Sequence, residues 1–254
     1  MKFRHAIVKK PGKSLIKGLT TANLGIPNYG KALEQHQAYI HTLEECGLQV
    51  HVLAAEEAYP DSVFVEDTAL LTPHCAILTN PGAPSRRGET QGLKPVLEKF
   101  FDVVEVIQAP GTVEAGDIMM VGPHFYIGLS ERTNAHGAEQ VIDVLEKYGL
   151  SGSLVELSKV LHLKTGVAYL EHNTFLACGE LLTHPIFQHF KILAIDEDES
   201  YAANCIWIND RVLVPHGYPK ARDTIEQAGY DTLPVDVSEF RKLDGGLSCL
   251  SLRF

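Results

Sequence analysis

DIMMVGPHFYIGLS, residues 117–130, contains two short apolar runs on either side of a Gly-Pro turn. Such a pattern predicts two antiparallel β-strands joined as a hairpin. Three further stretches repeat it: SVFVEDTALLTPHCAILTN (62–80), VAYLEHNTFLACG (167–179) and NCIWINDRVLVPHG (204–217). Similar hairpins spaced along one chain predict a repeated structural unit, and a repeat decides the architecture.

Amphipathic helical segments separate the hairpins, and each of them is followed by one short strand. The helical segments lie near 30–46, 89–101, 134–148, 181–190 and 219–229. The strands that follow them are LQVHVLAA from 48, DVVEVIQA from 102, SLVELSK from 153, KILAIDE from 191 and DTLPVDV from 231. The repeated unit is therefore a ββαβ unit.

The two ends of the chain supply the parts of the last unit. The C-terminal GLSCLSLRF (246–254) has no neighbouring strand, and the N-terminal HAIVKK (5–10) is the apolar segment left to pair with it. Their pairing would close the chain into an α/β fold, a five-bladed α/β propeller of ββαβ units. An open α/β sheet is the alternative, since it also alternates strands with helices.

We favour the ring because a doubly wound sheet does not require hairpins between successive helices. The chain also has no G-x-G-x-x-G or G-x-x-x-x-G-K-[ST] loop, which nucleotide-binding open sheets carry. No linker rich in Pro, Gly or Ser divides the chain. We therefore predict a single domain over residues 1–254.

The composition excludes several classes of protein. With 45% apolar and 21% charged residues, the chain can bury a core and is not disordered. No apolar run approaches the roughly 20 residues of a membrane-spanning helix, and the N-terminus lacks a secretory signal. A net charge of −10 argues against nucleic acid and would attract a small cation. Five cysteines without a C-x-x-C pair favour a reducing compartment, so we expect a cytoplasmic protein.

Residues at or just before the starts of the hairpins would meet at the axis of the ring. They are Asp61 with Glu66 and Asp67, Glu114 with Asp117, His162, Glu199, and Asp244 with Cys249. A thiol, an imidazole and several carboxylates at one place predict a nucleophile with acid/base groups. Each residue alone has a structural explanation, as a buried small side chain, a satisfied histidine or a turn cap. The glycine pair before Cys249, however, predicts close approach of the backbone to a neighbour.

Six motifs carry a family resemblance that covers essentially the whole chain. They are PDSVFVED (60–67), SRRGET (85–90), GTVEAGD (111–117), HLKTG (162–166), ESYAANC (199–205) and DGGLSCLSLRF (244–254). In these stretches the chain resembles the dimethylarginine dimethylaminohydrolases of the guanidino-modifying, or pentein, superfamily. The resemblance implies the five-bladed propeller fold. It also implies hydrolysis of N-ω-methylated arginines to citrulline and dimethylamine or methylamine through a covalent cysteine thiouronium intermediate.

The resemblance implies a role for each site residue. Cys249 would be the nucleophile and His162 the general acid/base, with Glu114 orienting the histidine. The substrate-binding set would be Leu19, Asp61, Phe64, Glu66, Asp67, Arg86, Arg132, Leu243 and Ser248. In this set the acidic pair at 66–67 would hold the guanidinium, and the two arginines would clamp the α-carboxylate. The chemistry suits these residue types, because carboxylates pair with a planar cation and the arginine fork matches a carboxylate.

We expect no metal and no organic cofactor. None of the twelve histidines falls in H-E-x-x-H, and the cysteines lack finger spacing, although zinc could bind Cys249 beside a histidine as an inhibitor. The expected partner is a small methylated arginine, with no nucleic acid and no membrane, and the chain would be a monomer or homodimer. An arginine deiminase or amidinotransferase would use the same residue types. A non-catalytic binder of arginine-like amino acids is the alternative from another class.

Overall fold

The strands pair in sets of three. In the computed structural model, which describes residues 2–254, fifteen strands form five three-stranded sheets. The strands are β1 (His5–Lys9), β2 (Gln49–Leu53), β3 (Ala69–Leu71), β4 (Ala76–Leu78), β5 (Val104–Val106), β6 (Ile118–Val121), β7 (His124–Leu129), β8 (Ser151–Glu156), β9 (Val167–Tyr169), β10 (Thr174–Ala177), β11 (Lys191–Ala194), β12 (Ile206–Ile208), β13 (Arg211–Pro215), β14 (Asp231–Val235) and β15 (Leu252–Arg253).

Each sheet follows the predicted plan of a hairpin and a parallel third strand. In the sheet that contains 117–130, β6 pairs antiparallel with β7, and β7 pairs parallel with β8. A parallel pair needs a crossover connection, usually a helix. The apolar face of that crossover helix, with Ala138, Val141 and Leu145, packs in one core cluster with Ile127 of β7. The predicted hairpin, helix and following strand thus form a small three-stranded sheet with a helix packed beside it.

The two ends of the chain meet in one sheet, as predicted. β1 pairs antiparallel with β15, with Ala6 opposite Arg253 and Ile7 opposite Leu252, and it pairs parallel with β2. Because the sheets are five separate triplets rather than one continuous sheet, the open α/β alternative is wrong. The five-bladed propeller is confirmed, and closure of the ring depends on the last residues of the chain.

The described residues form six α-helices, and four of these correspond to predicted helical segments. They are α1 (Tyr29–Glu45), α2 (Glu89–Leu97), α3 (Ala135–Lys147), α4 (Leu163–Gly166), α5 (Pro219–Gln227) and α6 (Ser238–Arg241). The predicted helix at 181–190 is wrong, because two 3₁₀ helices, Gly179–Thr183 and Pro185–Phe187, occupy this stretch. Proline disfavours helical backbone at the residue before it, and His184 is accordingly extended, with φ −63° and ψ 124°.

One strand from each sheet faces the axis of the ring. β3, β6, β9, β12 and β15 all contribute residues to a cavity of about 150 Å³, which we call the axial cavity. The residues that the sequence placed at the axis come before these strands in the chain, and of them only Glu66 lines this cavity. Among residues 2–254, no helix combines the length and the apolar character needed to cross a membrane.

Candidate active site

Cys249 lies in a single 3₁₀ turn, Ser248–Leu250, just before β15. The backbone N–H of Gly246 points at its sulfur at 3.4 Å, and the Ser248 hydroxyl lies 3.9 Å from the same atom. The residue is only 9% exposed. The thiol is therefore nearly enclosed, with weak polar contacts to its sulfur.

The glycine pair before the thiol makes the close approach that the sequence predicted. A Cβ on Gly245 would collide with the ring of Phe64, and a Cβ on Gly246 would lie 2.5 Å from the Asn204 side chain. Asn204 then exchanges two hydrogen bonds with Ser248: its Oδ1 accepts from the backbone N–H at 2.9 Å, and its Nδ2 donates to the hydroxyl at 3.2 Å. The turn that holds the thiol is thus fixed on both sides.

His162 is paired with Glu114. The Nε2 of His162, at the start of α4, lies 2.9 Å from Oε2 of Glu114. The other oxygen of Glu114 accepts from the backbone N–H of Ala83 at 3.0 Å and lies 3.6 Å from Nη1 of Arg132. Since both oxygens are engaged, the carboxylate cannot rotate freely, and it holds the imidazole in one orientation.

Asp67 is held by a cation and a backbone N–H. Arg86 donates to one oxygen at 2.6 Å, and the Gly116 N–H donates to the other at 3.0 Å. The rest of the Arg86 guanidinium binds Glu89 through Nε and Nη2, at 3.1 and 2.9 Å, and the carbonyl oxygen of Phe64 at 2.8 Å. Arg86 is thus buried among carboxylates of the chain itself, whereas the Arg132 side chain is 23% exposed.

A second cavity, of about 230 Å³, contains most of the predicted site, and we call it the polar cavity. Ten of the twelve predicted residues line it: Leu19, Asp61, Phe64, Asp67, Arg86, Glu114, Arg132, His162, Leu243 and Cys249. The remaining two, Glu66 and Ser248, line the axial cavity instead. The structure therefore gathers ten of the predicted residues around one space, while Glu66 and Ser248 line the other cavity.

Glu66 lines the axial cavity, and its negative charge acts on the Cys249 thiol of the polar cavity. Its Oε1 accepts from Lys164 at 2.7 Å and from Arg253 at 3.0 Å. Its Oε2 is buried and has no hydrogen-bond partner within the described residues. Buried carboxylate oxygens are nearly always paired, so this bare oxygen is unusual, and its residue lines the axial cavity rather than the polar one.

The mouth of the polar cavity includes the loop after Gly18. The side chain of Asp61 accepts from the backbone N–H of Leu19 at 2.9 Å, and the carboxylate of Asp244 accepts from that of Thr21 at 2.6 Å. Burial raises the pKa of Asp61 against the opposing effect of the nearby arginines. These acidic side chains line the cavity together with the apolar Leu243.

Protons in the site are held on the histidine and on the thiol. Burial alone would lower the pKa of His162, but the charge of Asp67, the hydrogen bond to Glu114 and the charge of Asp117 raise it to about 9. Burial, and then the charges of Asp67 and Glu66, raise the pKa of Cys249 to about 12. At neutral pH the free site thus contains an imidazolium and a neutral thiol.

Two of the residues expected at the axis have structural roles instead. Asp117 accepts from the Ser130 hydroxyl at 2.7 Å and from the Leu163 N–H at 3.0 Å, which fixes the start of α4. Glu199 accepts from the Ala221 N–H at 2.7 Å near the start of α5. Neither residue lines the polar cavity in the part of the chain that the structure describes.

Three ligand-type side chains, Asp67, Glu114 and His162, lie close enough together to hold a metal ion, with donor atoms within 4.8 Å of one another. Their atoms are already engaged with one another and with Arg86. The pairing of His162 with Glu114 is that of a histidine oriented by a hydrogen-bonded carboxylate.

Several residues around the site could not be assigned a role from the sequence. Glu89 binds Arg86, Asn204 fixes the turn of the thiol, and Lys164 and Arg253 bind Glu66. Glu89 carries one usable signal, its position three residues after Arg86 within the SRRGET motif. The other contacts join elements far apart in the chain, which no local pattern indicates.

Comparisons with known proteins give consistent matches. The family model described as "N,N dimethylarginine dimethylhydrolase, eukaryotic" matches residues 27–188. An N(G),N(G)-dimethylarginine dimethylaminohydrolase from Pseudomonas aeruginosa is 60% identical over 253 residues, 99% of this chain and 100% of that protein.

Two solved structures are similar throughout. The C249S mutant of DDAH from Pseudomonas aeruginosa, complexed with citrulline, has a TM-score of 0.99 at 59% identity and covers 100% of both chains. A dimethylarginine dimethylaminohydrolase H162G adduct with S-methyl-L-thiocitrulline has a TM-score of 0.98 at 59% identity, over 99% of this chain and 100% of that one. The matches therefore include every element that lines the polar cavity.

Proposed function

Because this chain belongs to the dimethylarginine dimethylaminohydrolase family, we propose that it hydrolyses N-ω-methylated arginines to citrulline and a methylated amine at the polar cavity. The observation that carries this proposal is the lining of that cavity, in which the Cys249 thiol, the His162–Glu114 pair and the Asp67 carboxylate surround one space. A nucleophile, a proton donor and an anionic binding group are what cleavage of a cationic C–N bond requires.

The guanidinium of the substrate would bind beside acidic side chains. Asp67 offers its carboxylate from the wall of the polar cavity, and Glu66, which lines the axial cavity, adds its negative charge near Cys249. Charge-assisted hydrogen bonds from the planar cation to the Asp67 carboxylate would place the guanidinium carbon against the sulfur of Cys249.

The amino-acid end of the substrate would lie towards the mouth. Arg132 would bind the α-carboxylate, with Arg86 behind it, while Asp61 and the carbonyl groups of Leu19 and Leu243 would accept from the α-ammonium. Phe64 would contact the alkyl stem. Arg132 is the better exposed of the two arginines, and we assign it the larger share of the carboxylate contact.

The first half of the reaction begins with loss of the thiol proton to solvent when the cation binds beside the sulfur. The thiolate of Cys249 then forms a bond to the guanidinium carbon, giving a neutral tetrahedral adduct. His162, an imidazolium in the free site, gives its proton to the dimethylamino nitrogen as the C–N bond breaks. Neutral dimethylamine departs, and a thiouronium cation remains bonded to Cys249.

In the second half the neutral His162 takes a proton from water, and the resulting hydroxide adds to the thiouronium carbon. The C–S bond breaks, the sulfur keeps the electron pair, and the proton on the new oxygen returns to it as citrulline forms. The proton that left the thiol at the start appears on the released amine, which is dimethylammonium at neutral pH. Charge and atoms therefore balance over the cycle, and His162 ends as an imidazolium.

Support for this chemistry comes from the relatives. The C249S mutant of the Pseudomonas protein was complexed with citrulline, and the H162G protein formed an adduct with S-methyl-L-thiocitrulline. By analogy, we propose that this chain releases citrulline as its product and forms an adduct with S-methyl-L-thiocitrulline. Arginine deiminase activity stays the second candidate, because the same groups would cleave an unmethylated guanidinium.

The deciding experiment compares release of amine, ammonia and citrulline from asymmetric dimethylarginine, monomethylarginine and arginine. We expect citrulline and methylated amine in equal amounts from the first two, with little ammonia from arginine. Quenched samples analysed by intact mass should contain a thiouronium adduct on Cys249. Preference for arginine would indicate a deiminase, and binding without turnover would indicate a non-catalytic protein.

We further propose that the chain acts as one catalytic domain in the cytoplasm, as a monomer or homodimer, with neither nucleic acid nor membrane as a partner. The five cysteines are all buried and unpaired, which suits a reducing compartment. Every sheet also contributes a strand to the same axis, so the blades depend on one another.

A further inference from the structure

We infer that Tyr201 is a positioning residue, which holds the peptide between Gly245 and Gly246 so that its N–H points at the Cys249 sulfur and stabilises the thiolate. The inference rests on the proposed function and assigns a further residue to it. Of the six motifs, all of which lie within the described residues, ESYAANC (199–205) alone contributes no side chain to the polar cavity. Tyr201 belongs to this motif.

One peptide unit connects Tyr201 to the nucleophile. The hydroxyl of Tyr201 donates to the carbonyl oxygen of Gly245 at 2.7 Å. The N–H of the same peptide unit belongs to Gly246, and its nitrogen lies 3.4 Å from the sulfur of Cys249. Because a trans peptide unit is planar, its C=O and N–H point in opposite directions. The hydrogen bond that fixes the oxygen therefore also aims the N–H at the sulfur.

A peptide between two glycines needs such a hold. Glycine accepts many backbone conformations, so this peptide can rotate at little steric cost. A half-turn would bring the carbonyl oxygen towards the sulfur in place of the N–H, and the oxygen would repel a thiolate. Packing requires both glycines, because Cβ atoms here would lie 2.1 Å from Phe64 and 2.5 Å from Asn204. The hydroxyl of Tyr201 thus opposes the freedom that the glycines bring.

The ring of Tyr201 is itself held in place. The guanidinium carbon of Arg241 lies 4.9 Å from the ring centroid, and the Tyr218 ring lies beside it at a centroid distance of 5.5 Å. Burial, and then the charge of Cys249, raise the pKa of Tyr201 well above its ordinary value. The hydroxyl therefore keeps its proton at the pH of an enzyme assay and remains a donor.

Asn204, from the same motif, holds the other end of the turn. Its side chain binds the backbone N–H and the hydroxyl of Ser248, at 2.9 and 3.2 Å. Within the part of the chain that the structure describes, neither Tyr201 nor Asn204 lines the polar cavity. Loss of either side chain should therefore act on the sulfur and spare the groups that would bind substrate.

The Gly246 N–H would act at two steps of the proposed reaction. A hydrogen bond to an anion is stronger than one to a neutral acceptor, so this donor favours the thiolate over the thiol. It acts when Cys249 loses its proton, and again when the C–S bond breaks and the sulfur keeps the electron pair. The charges of Asp67 and Glu66 disfavour the thiolate at both steps, and the N–H offsets part of their effect.

Tyr201→Phe removes one oxygen atom and tests this role. Loss of a hydrogen bond to a charged group typically raises the pKa of a thiol by about one unit. At neutral pH this change leaves about tenfold less thiolate, but the more basic sulfur is about threefold more nucleophilic. Alkylation of Cys249 by the neutral reagent chloroacetamide should therefore slow about threefold. For asymmetric dimethylarginine, kcat should fall about threefold or more while KM changes little.

Tyr218→Phe is the matched control. It removes the same hydroxyl from the neighbouring ring, which also lies against Arg241, and its alkylation rate should equal that of the unmodified protein. Chloroacetamidine, the cationic counterpart of chloroacetamide, reports on the groups that bind the cation. Both reagents need the same thiolate, so in Tyr201→Phe the two rates should fall together and their ratio should stay unchanged.

Asn204→Ala supplies a second variant if Tyr201→Phe does not fold. It releases the Ser248 end of the turn and should also slow alkylation by chloroacetamide about threefold. Citrulline affinity, measured by calorimetry with each substitution added to Cys249→Ser, should be retained. Folding is checked by circular dichroism and by the thermal midpoint of each variant.

An unchanged chloroacetamide rate in folded Tyr201→Phe protein would overturn the inference, even if the thermal midpoint were lower, because the hydroxyl would then only stabilise the fold. An equal loss of rate in Tyr218→Phe, or a changed ratio of the two reagents, would also overturn it. If the unmodified protein does not turn over methylated arginine but Tyr201→Phe still slows alkylation, the proposed function fails while the positioning role stands.

Discussion

Replacing Glu114 by Gln removes one of the groups that keep His162 protonated. The pKa of His162 is raised from 6.5 to about 9, which corresponds to about 3 kcal/mol of preference for the imidazolium. Glu114 contributes through a 2.9 Å hydrogen bond and through its charge, while Asp67 and Asp117 act through charge. A neighbouring charge with a hydrogen bond typically shifts a pKa by about 1 to 3 units. We therefore expect Glu114→Gln to lower the pKa of His162 by about one to two units.

The effect on rate follows from the role of His162 as proton donor. With the unmodified protein, kcat/KM should fall as pH rises through about 9, and in Glu114→Gln this basic limb should begin about one to two units lower. The histidine also loses its fixed orientation, so kcat at neutral pH should fall by about 10²-fold.

The assay combines kcat/KM against pH with an NMR titration of the His162 ring in Cys249→Ser protein, with and without Glu114→Gln. Glu105→Gln is the matched control, because this carboxylate binds Lys147 at the surface away from the site. A pKa of His162 that does not move on loss of Glu114, or a basic limb at the same pH in both proteins, would refute the reasoning.

Three other predictions follow from the same geometry. Cys249→Ser should abolish turnover and retain citrulline binding, whereas Ala at each of the other four cysteines should cost about 1 to 3 kcal/mol of stability and little activity; residual turnover would exclude Cys249 as the nucleophile. Agmatine dimethylated on the same guanidino nitrogen, compared with asymmetric dimethylarginine, leaves Arg132 without a carboxylate, which should cost about 2 to 5 kcal/mol in kcat/KM; equal kcat/KM for the two would exclude the clamp. Because folding raises the pKa of His162 from 6.5 to about 9, protonation of this residue stabilises the folded protein fully below pH 6.5, and the contribution is lost as pH rises through about 9. The thermal midpoint should therefore fall over that pH range, and His162→Gln should remove this pH dependence.

The propeller could be predicted because its signals are local and repeated. Hairpins such as 117–130 can be recognised from two apolar runs and the turn between them. The N- and C-terminal segments had no other partner in the sequence, and they pair as β1 and β15. The predicted helix at 181–190 failed for an equally local reason. Its apolar spacing was helical, but Pro185 imposes extended backbone on His184 and divides the segment.

The sequence could predict which residues form the site, but not which cavity each side chain faces. Glu66 and Asp67 are adjacent, yet only Asp67 lines the polar cavity, while Glu66 turns to the axial cavity. Within one 3₁₀ turn neighbouring side chains leave in different directions, and tertiary packing decides which space each one reaches. The family resemblance supplied the roles that spacing could not.

Contacts between distant elements lie beyond any sequence pattern. Arg253 meets Glu66 across 187 positions, and nothing near either residue indicates the pairing. Arg86 shows the same limit: the motif identified it, but only the structure reveals that its guanidinium is bound by Asp67 and Glu89.

The central claim is that Cys249 rests as a neutral thiol and that the bound cation completes its activation. Absorbance of the thiolate, titrated in the free protein and compared with Cys249→Ser, measures this state directly. Burial beside Asp67 and Glu66 places the pKa of this thiol at about 12, so we expect no Cys249-dependent thiolate signal at neutral pH, and onset only in strongly alkaline solution. A Cys249-dependent pKa at or below about 7, typical of a pre-formed thiolate–imidazolium pair, would contradict the account.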